Sequence, residues 1–246
     1  MVIPAMADKP LIAITGASSG IGAACARAFA EAGYPTLLMA RRRDRLEALR
    51  LPRSFIAGVD VCDTGAVRAA INDAEALHGP VDLLVNNAGL MPLGLLQNQA
   101  PAEWRSMLDV NVLALLEVTQ LVLPAMVARR HGTIMNIGSV AGRNIYGNHA
   151  AYCGTKFAVH AISEGLRKEV APSNVRVSVI APGLVETELL EHTSDPAIVT
   201  DYQAYKASVG GAMTPEAVAD LILHIYQLPQ DVCIREVVLA PTAQDA

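Results

Sequence analysis

Short, β-rich apolar runs alternate with longer segments of helical periodicity almost from one end of this 246-residue chain to the other. Residues 11–15, 36–40, 54–59, 81–86, 133–138, 175–180 and 237–240 read as strands, and 21–32, 44–50, 64–77, 101–129, 150–170 and 215–228 as helices. A strand that is apolar along its whole length must be covered on both faces, and helices between successive strands supply that cover. The expectation is an α/β protein with a doubly wound, parallel, seven-stranded sheet. No internal repeat, low-complexity tract or Gly/Ser linker divides the chain, so residues 1–246 read as a single domain. The exception to the rhythm is 183–213, a stretch of weak periodicity carrying Thr193, Ser194, Asp195, Pro196, Gly210 and Gly211. Long irregular segments in compact domains are commonly functional, and 184–213 reads as a lid over a substrate.

Composition removes several function classes. With 52% hydrophobic and 17% charged residues, the chain can bury enough surface to offset its ordering entropy, which excludes disorder. Nineteen basic against 24 acidic residues supply no basic surface for nucleic acid or an anionic membrane. The longest apolar stretch, 112–128, is broken by Glu117, Gln120 and Pro124 and is not read as a membrane span. Residues 1–6 carry no cationic leader pattern, so the expected compartment is the cytoplasm. Cys25, Cys62, Cys153 and Cys233 are too scattered for a disulfide framework or zinc site and read as reduced core or near-core thiols. His149, His160 and His192 lack partners at metal-ligand spacing, so no metal is expected.

The first strand runs directly into Thr15-Gly16-Ala17-Ser18-Ser19-Gly20-Ile21-Gly22 and then a helix. Glycines there let the backbone approach a pyrophosphate, and the helix start offers free N–H groups at its positive end. A dinucleotide could sit there as in a Rossmann-type fold, and a plain glycine-rich turn is the alternative. The same residues match a GxSxG nucleophile elbow, with Asp195 and His224 in hydrolase order, but only one strand precedes the loop where a serine hydrolase needs several. The second strand ends in Arg41-Arg42-Arg43, with no carboxylate where the ribose of NAD would want one. Guanidinium forks fit a phosphate, so Arg41 first and Arg42 second are candidate ligands for the 2'-phosphate of NADP(H). Asp60 and Val61, at the third strand's end, are placed to read an adenine edge.

Tyr152 and Lys156 stand four residues apart on a helix and share a face. A nearby cation favours phenolate, which would draw the tyrosine toward working pH as a proton donor and acceptor. With Thr15-Gly16-x-x-x-Gly20-x-Gly22, Asn86-Asn87-Ala88-Gly89, Asn111, Ser139 and Pro182-Gly183 in order, the chain resembles the short-chain dehydrogenase/reductase family from about residue 9 to its end. The runs 41–46 and 236–242 are similar to the branch containing bacterial 3-hydroxy-acid and serine dehydrogenases and clavulanate-dehydrogenase-like reductases.

The resemblance implies an NADP(H)-dependent enzyme that interconverts a carbonyl and a secondary alcohol. Tyr152 would be the general acid or base, Ser139 would hydrogen-bond the carbonyl oxygen, and Lys156 would hold the nicotinamide ribose and lower the tyrosine's pKa. Asn111 would hold a water through its carbonyl and link Lys156 to solvent. Gly16, Ser18, Ser19, Gly20, Ile21 and Gly22 would carry the phosphates. Asn87, Ala88 and Gly89 would floor the crevice, and Pro182, Gly183, Val185 and Thr187 would cover the nicotinamide. Met91, Arg143, Ile145, His149, Leu184 and Tyr202 are the candidate substrate residues, with Arg143 placed for a substrate carboxylate. A non-catalytic dinucleotide sensor on the same fold is the rival reading, although its usual mark, a lost tyrosine or lysine, is not present. Apolar residues run nearly all round the helix at 101–129, which predicts a second subunit over its outer face, in a homodimer or homotetramer.

Overall fold

The computed structural model describes residues 9–245. The leader reading at 1–6 lies outside the described residues. In chain order the elements are β1 (Leu11–Thr15), α1 (Gly20–Glu31), β2 (Thr36–Ala40), α2 (Arg43–Ala48), β3 (Ser54–Gly58), α3 (Thr64–His78), β4 (Val81–Asn86), α4 (Pro101–Leu108) and α5 (Ala114–Arg129). There follow β5 (Thr133–Ile137), α6 (Ala150–Val170), β6 (Arg176–Pro182), α7 (Pro196–Ser208), α8 (Pro215–Gln227) and β7 (Glu236–Leu239). All seven strands are parallel, in the order β3-β2-β1-β4-β5-β6-β7.

Successive side chains of a strand point to opposite faces, and β1 shows the result. Ile12 and Ile14 pack with Phe29 of α1 and Val218 and Ile222 of α8, while Leu11 and Ala13 pack with Val67 and Ile71 of α3 and Val118 and Val122 of α5. The order reverses between β1 and β4, so the loops leaving these strands diverge and open a crevice at their carboxyl ends. A third apolar cluster, with Met91, Leu93, Tyr152, Leu190 and Ile198, lies under residues 184–213.

Three expectations are corrected. The single helix expected at 101–129 is α4 and α5 joined by a π-helical turn at Asp109–Leu113. The stretch expected to be irregular holds a 3-10 turn, Glu188–His192, and the helix α7. Only Cys25 and Cys153 are buried, whereas Cys62 and Cys233 are exposed. The apolar run 101–129 is long enough by composition to cross a bilayer, but Leu115, Val118, Val122 and Met126 are buried, as in a core helix.

Polar side chains tie the layers together. Asn86 Nδ2 donates to Thr119 Oγ1 and Asn136 Oδ1, each at 2.9 Å, and Asn136 Nδ2 donates to Ser163 Oγ at 2.8 Å, linking α5, β4, β5 and α6. Buried Arg176 on β6 donates to the carbonyls of Tyr226 at 2.8 Å and Leu228 at 3.0 Å, anchoring the end of α8. Residues 244 and 245 return to the 184–213 segment: Leu184 N donates to Gln244 Oε1 at 2.8 Å, and Tyr205 Oη donates to the Asp245 carbonyl at 3.4 Å.

Candidate active site

At the switch point the two diverging loops are bonded to one another. Thr15 Oγ1 accepts from the backbone N of Asn87 at 3.0 Å and of Ala88 at 3.1 Å, and Asn87 Nδ2 donates to the carbonyls of Thr15 at 2.9 Å and Gly16 at 3.2 Å. This closeness requires glycine. Gly16 has φ +65°, and a Cβ on Gly22 would stand 2.3 Å from the Gly16 carbonyl oxygen. Helix α1 starts beside this loop with no side-chain cap from Ser19 and no acidic residue in its first turn. Its N-terminal dipole is therefore open to an anion from the crevice.

Arg42 continues this positive corner: Nη2 donates to Ser19 Oγ at 2.9 Å, and Nη1 pairs with Glu188 at 2.8 Å. Arg41 is exposed and makes no side-chain hydrogen bond or ion pair among the described residues. Asp60 accepts from Cys62 N at 3.0 Å, which turns the chain after β3. The crevice widens into a cleft of about 410 Å³, within the range of ligand sites. Of the residues singled out in sequence for the cofactor, only Gly22 does not line it, because it packs beneath the loop.

Ser139, Tyr152 and Lys156 form the cleft's inner wall. Ser139 ends the loop after β5, where its Oγ accepts from Ala141 N at 3.0 Å and caps a short turn. Tyr152 and Lys156 are both buried on α6, and Lys156 Nζ donates to the Ile137 carbonyl at 2.8 Å, 5.7 Å from the Tyr152 ring centre. Burial lowers the lysine to about 8. Burial also pushes the Tyr152 phenol above its ordinary value, with the hydrogen bond to Ser139 pulling the other way. At this tyrosine desolvation dominates, and the opposing pull comes from the serine.

Asn111 lies in the π-helical turn and does not line the cleft. Its Oδ1 accepts from Leu90 N at 2.8 Å, and its Nδ2 donates to the Leu90 carbonyl at 2.9 Å and Thr155 Oγ1 at 3.1 Å. It braces the loop after β4 against α6.

Beyond Tyr152 the cleft is walled by Met91, His149, Leu184 and Tyr202, as expected of substrate residues by position. The His149 ring stacks on Tyr202 at 6.4 Å and meets Tyr146 at 5.8 Å, and burial lowers its pKa, favouring the neutral form. Two placements are corrected. Arg143 does not line the cleft: it pairs with Glu236 of β7 at 3.1 Å, and the same carboxylate lies 3.2 Å from His160 Nδ1. Ile145 is 72% exposed and also outside the cleft. Sequence reading missed Glu188, Gln203 and Gln244, which do line it. For α7 a signal existed: Asp195 accepts from Ala197 N at 2.9 Å as an N-cap, followed by Pro196 at the first helical position. Capping is also what occupies Asp195, the aspartate of the hydrolase reading.

Comparisons with known proteins agree with this geometry. Residues 10–197 match the short chain dehydrogenase family. An uncharacterized oxidoreductase of Staphylococcus saprophyticus is 39% identical, covering 96% of this chain and 97% of its own length. A probable NADP-dependent dehydrogenase of Haemophilus influenzae is 37% identical, with coverages of 94% and 93%. Among solved structures, the closed form of serine dehydrogenase complexed with NADP+ superposes with a TM-score of 0.89 at 32% identity, covering 96% of each chain. Serine dehydrogenase from Escherichia coli gives 0.82 at 31% identity, covering 96% of this chain and 100% of that one. With its parallel sheet, glycine loop and Ser-Tyr-Lys wall in one crevice, this chain is an oxidoreductase of the short chain dehydrogenase family.

Proposed function

We propose that this oxidoreductase uses NADP(H) to interconvert a carbonyl and a secondary alcohol. The observation that carries the reading is a single cleft lined both by an anion-ready glycine loop and by Ser139, Tyr152 and Lys156. Gly16, Ser18, Ser19, Gly20 and Ile21 hold the phosphates, Gly22 keeps their loop close to β4, and Arg41 with Arg42 takes the 2'-phosphate. Asp60 and Val61 flank the adenine, and Asn87, Ala88 and Gly89 lie beneath the cofactor. Pro182, Gly183, Val185 and Thr187 cover the nicotinamide. The NADP-bound neighbour and the NADP-dependent relative support the choice of dinucleotide.

When bound, the cofactor supplies or accepts the hydride. Tyr152, kept protonated by burial, donates its proton to the carbonyl oxygen during reduction and takes it back during oxidation. Ser139 hydrogen-bonds the same oxygen; its own contact with the Pro182 carbonyl, at 3.5 Å, is weak enough to exchange. Lys156 holds the ribose beside the nicotinamide, and Asn111 keeps the loop after β4 at a fixed distance from α6. Because burial opposes phenolate, oxidation gains more from alkaline pH than reduction does. Residues 184–213 act as the lid of a single catalytic domain, and Met91, His149, Leu184 and Tyr202 contact the substrate.

The decisive experiment is a panel of ketones, aldehydes and β-keto acids with NADPH, and the corresponding alcohols with NADP, followed optically. Tyr152→Phe is expected to lower kcat by about a thousandfold. Full NADPH-linked reduction by this variant would overturn the mechanism.

We also infer self-association and a cytoplasmic location. Leu108, Leu113 and Leu116 around the π-helical turn, with Phe157 on α6, are 39–50% exposed, apolar surface suited to a second copy. Sedimentation should give a dimer or tetramer.

A further inference from the structure

Resting on the NADP(H) reading, we propose that Glu188 is a specificity-determining residue for the cofactor: it occupies the Arg42 guanidinium that a 2'-phosphate needs, so NADP(H) alone must take that arginine from the lid. Glu188 opens the 3-10 turn at the root of the lid. Its carboxylate oxygens are divided between Arg42 Nη1 at 2.8 Å and Arg45 Nη1 at 2.5 Å. Arg42 Nε reaches Ser18 Oγ at 3.3 Å, and Nη2 reaches the Ser18 and Ser19 hydroxyls at 3.2 and 2.9 Å. Every nitrogen of this fork is therefore engaged. The one anionic partner among them is Glu188, whose carboxylate makes the kind of charge-assisted bond that a phosphate oxygen would make.

The turn carrying Glu188 is seated on the phosphate loop rather than hanging free. Thr187 Oγ1 caps Leu189 N, and Thr187 Cγ2 lies 2.9 Å from where a Cβ on Gly20 would stand. The two arginines hold the Glu188 carboxyl below the usual carboxylate range, so it is an anion at working pH. A phosphate dianion and this carboxylate repel each other at one guanidinium. Arg41, without a partner among the described residues, offers the phosphate a first contact, and Arg42 follows once Glu188 lets go. NADP(H) thereby breaks the Arg42 half of this bridge and leaves Glu188 on Arg45 of α2, whereas NAD(H), lacking the phosphate, leaves both halves in place.

Glu188→Gln removes the charge and keeps the shape. Calorimetric Kd values for 2',5'-ADP, 5'-AMP, NADPH and NADH, measured on wild type and variant at low salt, test the idea. E188Q is expected to bind 2',5'-ADP and NADPH about three- to tenfold more tightly, and 5'-AMP and NADH within about twofold of wild type. If wild type prefers 2',5'-ADP to 5'-AMP and E188Q leaves that preference unchanged or weaker, the role of Glu188 is overturned and the cofactor reading stands. If wild type shows no such preference, the cofactor reading falls and this inference with it.

Discussion

The two halves of the cleft are built by different means. In the cofactor half the walls are mostly backbone: a glycine turn, a helix start and the loop after β4, bonded through Thr15 and Asn87. In the half beyond Tyr152 they are side chains, the His149 and Tyr202 rings and the apolar residues of 184–213. Backbone walls tolerate almost no change in shape, whereas side-chain walls can be remodelled residue by residue. One half accordingly suits a ligand of fixed shape, and the other can be reshaped by substitution.

The sharpest way to break this contrast is Gly22→Val. With the Gly16 carbonyl 2.3 Å from the added Cβ, overpacking should cost about 3 kcal/mol and lower Tm even without nucleotide. An unchanged Tm would show that the loop adapts as freely as the lid.

Next in size is a pH effect confined to the wall between the halves. Burial lowers the Lys156 ammonium from 10.5 in the unfolded chain to about 8 in the folded one, so from pH 8 to 10 the unfolded chain binds more protons and stability rises with pH. Lys156→Met should remove a gain of about 2 kcal/mol over that interval. The gain is read as the difference between wild type and variant in denaturant titrations. Cys25, raised by burial from 9.0 to about 12, tilts the balance the other way above pH 9 in both proteins. Equal slopes would mean that Lys156 is solvated.

Arg41→Ala sharpens the cofactor half itself, with an expected loss of about tenfold in NADPH affinity and none for NADH. The smallest effect belongs to Ile145→Ala, since that side chain is 72% exposed and outside the cleft. Stability should stay within about 0.5 kcal/mol, and KM for any substrate should not move.

Legibility in the sequence follows the same division. The sheet was readable because its five inner strands are buried along their whole length and had to be apolar on both faces, and the glycine loop because its spacing answers to a backbone constraint. Strand ends shifted by a residue or two, as element ends do. The direction of Arg143 was not readable, because its partner Glu236 is brought alongside only when β7 joins the sheet. Asn86 belonged to a recognisable motif, yet its bonds to Thr119 and Asn136 depend on α5 and β5 meeting β4. Helix α7 escaped because its apolar residues do not form one face, even though Asp195 and Pro196 announced its start.

The contacts of residues 244 and 245 with 184–213 reach beyond local packing. Gln244 accepts from the first residue of the lid, and Asp245 accepts from Tyr205 on α7. Upstream of β7, the connection from α8 is gripped by Arg176. Residues 244 and 245 thus act as a strut against 184–213, and a change made at Gln244 would be felt in the wall of the cleft, which Gln244 and Leu184 both line.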